Sequence, residues 1–145
     1  MYLKSSRKAF TLIELVVVVL ILGILAAVAV PKLINTSRVA TDNGMKQTLS
    51  VVRDAIEMYV AENNGDLPGV GGDLATDLIP FLRSDFPVCP VGAKNDQVSH
   101  VTTGDPLAGA ASPTDGWIYD STTGEFICSF NGVLASDETL TYDEL

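Results

Sequence analysis

Glu14 is a carboxylate set inside a greasy run. It follows Phe10-Thr-Leu-Ile and precedes sixteen consecutive residues, Leu15 to Val30, that are all apolar or glycine. In hydrocarbon an acidic side chain costs roughly 2.5–3.5 kcal/mol near a helix centre and less toward an end. Glu14 therefore reads as a functional group in need of a partner. The rest of the reactive inventory is thin. His100 stands alone in a Thr/Ser/Val stretch, and there is no Gly-x-Ser-x-Gly, phosphate loop or metal-ligand pair beside it. Cys89 and Cys128 are the only cysteines, and with one histidine they are poor material for a zinc site. A bridge between them would close a 40-residue segment and stabilise by roughly 4 kcal/mol in the chain-entropy model; two buried thiols are the alternative. Asp137, Glu138, Asp143 and Glu144, with Asp115 and Asp120, match no calcium-loop spacing and read as solvated surface. These residues argue against an enzyme and call for no cofactor or metal.

The element that must position Glu14 is a helix. Phe10 to Val30 is 21 residues, about 31 Å of helix, against a hydrocarbon core of about 30 Å. Val16–Val19 would favour a strand in water, but in lipid only a helix satisfies every backbone group within the segment. Lys4, Arg7 and Lys8 precede the run with no acid among the first nine residues. By the positive-inside rule those nine stay cytoplasmic and everything after Val30 lies across the membrane. A secretory signal peptide with a small-residue site at Ala27-Val-Ala29, or a plain single-span anchor for a binding protein, shares this pattern. The intramembrane carboxylate counts against both.

Beyond the run, the chain reads as a small acidic cargo. Pro31 marks a kink or loosened turn and Gly23 a second soft point. Residues 31–64 continue the helix amphipathically, with Met45, Leu49, Val52, Ile56 and Tyr59/Val60 on the core face. Lys46, Gln47, Arg53, Asp54 and Glu57 face elsewhere, and Thr41-Asp-Asn-Gly44 is a possible weak point. Asn63-Asn-Gly65 ends the helix, with Gly65 suited to a left-handed cap. Residues 65–145 form one globular domain of modest core. Asp73 is a candidate N-cap for a short helix limited by Pro80. Trp117–Asp120 and Glu125–Phe130 flank a Gly-containing turn and make a hairpin near 117–130. Trp117 and Tyr119 share one face, Trp117 as core, and Val98–Thr102 is the candidate third strand.

The succession Lys8-Ala-Phe-Thr-Leu-Ile-Glu14, leading into an apolar helix, resembles the N-terminal signal of the type IV pilin and type II secretion pseudopilin superfamily. The resemblance covers about residues 4–31. It implies that a prepilin peptidase cuts between Ala9 and Phe10, removing leader 1–9, and methylates the new amino terminus at Phe10. The family usually has Gly where this chain has Ala9. Glu14 becomes the fifth mature residue, the assembly carboxylate, and Gly23 and Pro31 fall where these helices often carry a Gly and a Pro. The implied fold is α+β: one long N-terminal helix, residues 10–30 in membrane or filament core, packed through its second half on a small antiparallel sheet. A Cys89–Cys128 disulfide would match type IV pilins, and the Tyr59 to Pro68 layout resembles major pseudopilins. The segment Pro87–Pro90 stands where those pseudopilins carry an Asp-Pro-Trp-Gly-type sequence. The implied partners are copies of the chain itself, the peptidase/methyltransferase and an inner-membrane assembly platform. The precursor is then a single-pass protein of the bacterial inner membrane, and the product a periplasmic or surface filament. Leader removal takes the net charge from −9 to −12 by loss of Lys4, Arg7 and Lys8, which excludes nucleic acid as a counterion-release partner.

Overall fold

The computed structural model describes residues 10–71 and 73–145. Helix α1 runs from Leu12 to Glu62, followed by α2 (Leu74–Leu78), β1 (Val98–Val101), β2 (Trp117–Asp120) and β3 (Phe126–Cys128). The chain forms two compact units, one ending at Ser37 and the other Arg38–Leu145.

Among the described residues of the first unit, nothing is laid against the apolar side chains of the helix. Every large apolar side chain from Phe10 to Ile34 is exposed, from 44 % at Val17 to 80 % at Leu12. The helix is continuous through Pro31. Among the described residues, α1 is the one helix long and apolar enough to cross a membrane.

In the second unit α1 buries Asp42, Met45, Leu49, Val52, Ala55 and Ile56. These sit at three- and four-residue steps, so they form one stripe. The stripe shares a core with Leu74, Leu78, Phe86, Cys89, Trp117, Tyr119, Phe126, Cys128 and Leu134. Thr41–Gly44 does not interrupt the helix. Its end is a Schellman arrangement: Asn64 takes the left-handed position at φ 58°, and the Gly65 N–H donates to the Val60 carbonyl at 2.9 Å. The left-handed cap is thus Asn64, with Gly65, expected there, one residue on at φ 97°.

The hairpin forms as read, with Trp117 opposite Cys128, Ile118 opposite Ile127 and Tyr119 opposite Phe126. Gly124, at φ 78°, closes its turn by donating to the Asp120 carbonyl. Trp117 is fully buried, its ring 5.1 Å from that of Phe126, and its indole N–H donates to the Pro87 carbonyl. The third strand is where it was sought, but β1 runs parallel to β2, so the sheet is mixed and not antiparallel. The intervening residues 102–116 supply the crossover length that a parallel pair needs. Asp73 caps α2 through the Ala75 N–H.

Candidate functional site

Phe10 and Thr11 precede the first turn of α1. The Thr11 hydroxyl accepts the Glu14 N–H at 3.3 Å and points toward the Glu14 carboxylate at 3.5 Å. That is half of a capping box, in which a Thr oxygen satisfies an orphan donor of the first turn. A carboxylate three residues into a helix also lies at the positive end of its dipole. Thr11 was missed in the sequence reading, although the Thr-x-x-Glu spacing signals it. Glu14 therefore sits in the capped first turn at the mouth of the apolar segment, with Phe10 four residues away and 74 % exposed. Ala9 and the rest of 1–9 lie outside the described residues. Gly23 has nothing within 4 Å of where a side chain would start, and Pro31 lies in the helix interior.

Moving one Leu or Val out of water is worth about 1.5–3 kcal/mol, so the exposed face from Leu12 to Ile34 represents tens of kcal/mol of unspent burial. Against that, a single Glu14 at 2.5–3.5 kcal/mol or less does not decide the outcome. The segment must enter lipid or pack on other apolar helices.

The cysteines meet in the core of the second unit as thiols, sulfur to sulfur 3.7 Å apart and both fully buried. Gly116 packs tightly beside Cys89: a side chain there would clash with the Asn95 carbonyl and come within 2.8 Å of the Cys89 Cβ. The hydrogen bond with Cys128 lowers the Cys89 thiol against the effect of burial. The same bond, with burial, pushes Cys128 up.

The acidic residues act as loop and tail fasteners. Asp42 is fully buried and accepts from the Ser136 N–H at 2.6 Å and the Tyr142 hydroxyl at 2.5 Å. Burial pushes its carboxyl up, but bonds from Tyr142, Ser136 and Ala135 outweigh that and hold it below its ordinary value. Asp120 accepts from Gly104 and Thr122, Asp143 from Gly109, Asp137 from Thr139, and Glu144 caps Thr141. Arg53, expected to face away from the domain, instead donates to the Phe126 carbonyl at 2.9 Å and the Leu145 carbonyl at 2.8 Å. Its stem lies along the core while the guanidinium reaches two backbone oxygens. His100 lies 3.9 Å from Asp73 and edge-on to Tyr119. Among the described residues no group of three or more potential ligands converges.

Residues 4–30 match the family model described as the prokaryotic N-terminal methylation motif, and the chain carries that motif. The chain is 38 % identical over 63 residues to competence protein ComGC of Streptococcus pneumoniae, covering 43 % of this chain and 58 % of that one. Type IV major fimbrial protein FimA of Dichelobacter nodosus is 38 % identical over 81 residues, 48 % of this chain and 51 % of the relative. Type II secretion system core protein G of Aeromonas hydrophila is 36 % identical over 61 residues, 42 % and 43 % of the two chains. The chain thus spans about half the length of the curated relatives it matches. No solved structure matches it.

Proposed function

We propose that the chain is the precursor of a structural filament subunit of the type IV pilus or type II secretion pseudopilus kind. The observation that carries this is the segment Phe10 to Ile34, whose large apolar side chains all stand exposed, with Glu14 the one charged side chain from Phe10 to Val30, inside the N-terminal methylation motif. The precursor waits in the inner membrane with its leader inside and its acidic domain outside. A prepilin peptidase cuts between Ala9 and Phe10 and methylates the new amine. An assembly platform in the membrane then moves the subunit from lipid into a bundle of identical helices, where apolar burial is retained. There Glu14 pairs with the Phe10 amine of a neighbour and sets axial register, since an unpaired charge in such a bundle is costly. Gly23 and Pro31 are the points at which the helix loosens to fit the bundle, because Pro31 offers no N–H and Gly23 no side chain. Ala9 is the nearest substitute in size for the usual Gly, so Ala9→Gly should be cut at least as fast as the natural chain; pulse-chase processing checks this, and a large loss would place the cut elsewhere.

Outside the cytoplasm, Cys89 and Cys128 become a disulfide. The two thiols give up two protons and two electrons to an oxidising disulfide, which leaves as a dithiol, and the sulfurs close from 3.7 Å to about 2.05 Å. Cys89→Ser/Cys128→Ser should lower domain stability by about 4 kcal/mol relative to the bridged chain. Mass analysis with and without reduction, followed by denaturant unfolding, reads both steps. Free thiols in protein taken from the cell envelope would remove the bridge from the account.

The direct test of the function is imaging of sheared cell fractions from strains making or lacking the chain. Filaments that contain it support the reading, and a processed chain that never polymerises defeats it.

A further inference from the structure

We infer that the globular unit carries a docking pocket for an acidic turn of a second copy of the same chain. This rests on the filament reading above. The unit Arg38–Leu145 has five Lys or Arg against seventeen Asp or Glu, a net charge of −12. Two of those five cations, Arg38 and Lys94, edge a single depression of about 400 Å³ that no Asp or Glu lines. Both are exposed, and among the described residues neither forms an ion pair. The floor is aromatic: the Phe130 and Tyr142 rings lie 6.0 Å apart and 30° from parallel. Asp42, one helical turn from Arg38, is sealed beneath this floor by Ser136 and Tyr142. The pocket is thus edged by two cations in a unit that is otherwise strongly acidic.

Its complement lies at the other end of the same helical segment. From Asp54 to Leu82 the chain has six acids and no base. Glu62 and Asp66 bracket an exposed turn in which Asn64 and Gly65 take positive φ. Arg38 and Glu62 are separated by 24 residues of unbroken α1, about 36 Å along the helix axis. One chain therefore cannot close its own acidic turn onto its own cationic pocket. Two copies can, and joining one patch to a different patch gives a heterologous interface that repeats without closing. A filament needs that kind of contact. Opposite charges across it select register and suppress wrong pairings, because like charges face each other in any other alignment.

The test is charge exchange in the full-length chain, scored as filament in the sheared fraction. Arg38→Glu with Lys94→Glu should reduce filament about tenfold or more, and Glu62→Lys with Asp66→Lys should do the same. All four together should restore filament to near the natural level. Processing at Phe10 and the melting temperature of each variant should match the unaltered chain, which separates an interface effect from misfolding. Wild-type filament levels from either reversed pair overturn this inference alone. So does loss in the Arg38/Lys94 pair without loss in the Glu62/Asp66 pair, which would assign the pocket to an anionic lipid surface. Absence of filaments from the unaltered chain would take down the filament reading and this inference together.

Discussion

Replacing Glu14 by Gln should give a chain that is cut and methylated normally, sits in the membrane, and does not assemble. Gln has nearly the same size and keeps an oxygen for the Thr11 hydroxyl, which lies 3.5 Å from the carboxylate, so the start of α1 should survive. What disappears is the negative charge. The Phe10 ammonium of the next subunit would then be buried without a counter-charge, and breaking a buried pair from one side costs about 3–5 kcal/mol. At about 1.4 kcal/mol per tenfold, each subunit contact weakens by about two to four orders of magnitude. In an open-ended polymer that loss recurs at every addition. Electron microscopy of the sheared fraction, with the mature amino terminus verified on the same sample, reads the outcome. Filaments of normal yield from Glu14→Gln would sink the register role and leave Glu14 as a helix cap.

The second large effect is expected in the globular unit, at Asp42. Its two oxygens hold the Ser136 N–H and the Tyr142 hydroxyl, and so fasten the last turn of the chain to α1. Asp42→Ala would strand both donors in a buried place, at about 1–3 kcal/mol each. The expected loss is about 3–5 kcal/mol, read by thermal or denaturant unfolding of the full chain in detergent. Asp42→Asn should cost less, because the amide can still accept one bond and donate another.

The pH dependence follows from the same bonds. The folded carboxyl lies below its ordinary value because the hydrogen bonds outweigh burial. Its contribution is therefore present above the unfolded value of about 3.9 and is lost as pH falls through the folded one. Asp42→Asn should flatten that acid limb without removing it. Asp120, held low by the Thr122 N–H, and Asp137, held low by the Thr139 hydroxyl, keep their own shares. An unchanged acid limb in Asp42→Asn would show that folding does not lower the Asp42 carboxyl.

Local pattern made much of this chain legible. Met45, Leu49, Val52 and Ile56 lie at helical spacing, and all four are buried. The aromatic runs on either side of Gly124 pair as a hairpin, and Asp73 caps α2. These features depend on neighbours a few residues away. Strand direction does not: β1 is short, its link to β2 is irregular, and nothing in Val98–Val101 states whether it runs with or against Trp117–Asp120. Arg53 was misplaced because spacing assigns the Cα to a face and says little about where a long guanidinium ends. Asp42 is the instructive case. Its partners lie 94 and 100 residues away, so no local signal identifies them. Yet Asp42, Met45, Leu49, Val52 and Ile56 form one continuous series of steps, and a carboxylate on a core stripe is a demand for buried donors. The thiol pair was legible as a count of two, while their contact joins residues 39 apart in sequence, which no local signal reports.

We propose Ala9–Phe10 as the processing junction and Phe10 as the working amino terminus of the subunit. Intact mass and terminal sequencing of the protein recovered from the cell envelope test it directly. The account predicts a chain that begins at Phe10 and carries one extra methyl group on its amine. A chain that begins at Met1, or at Val30, would contradict it.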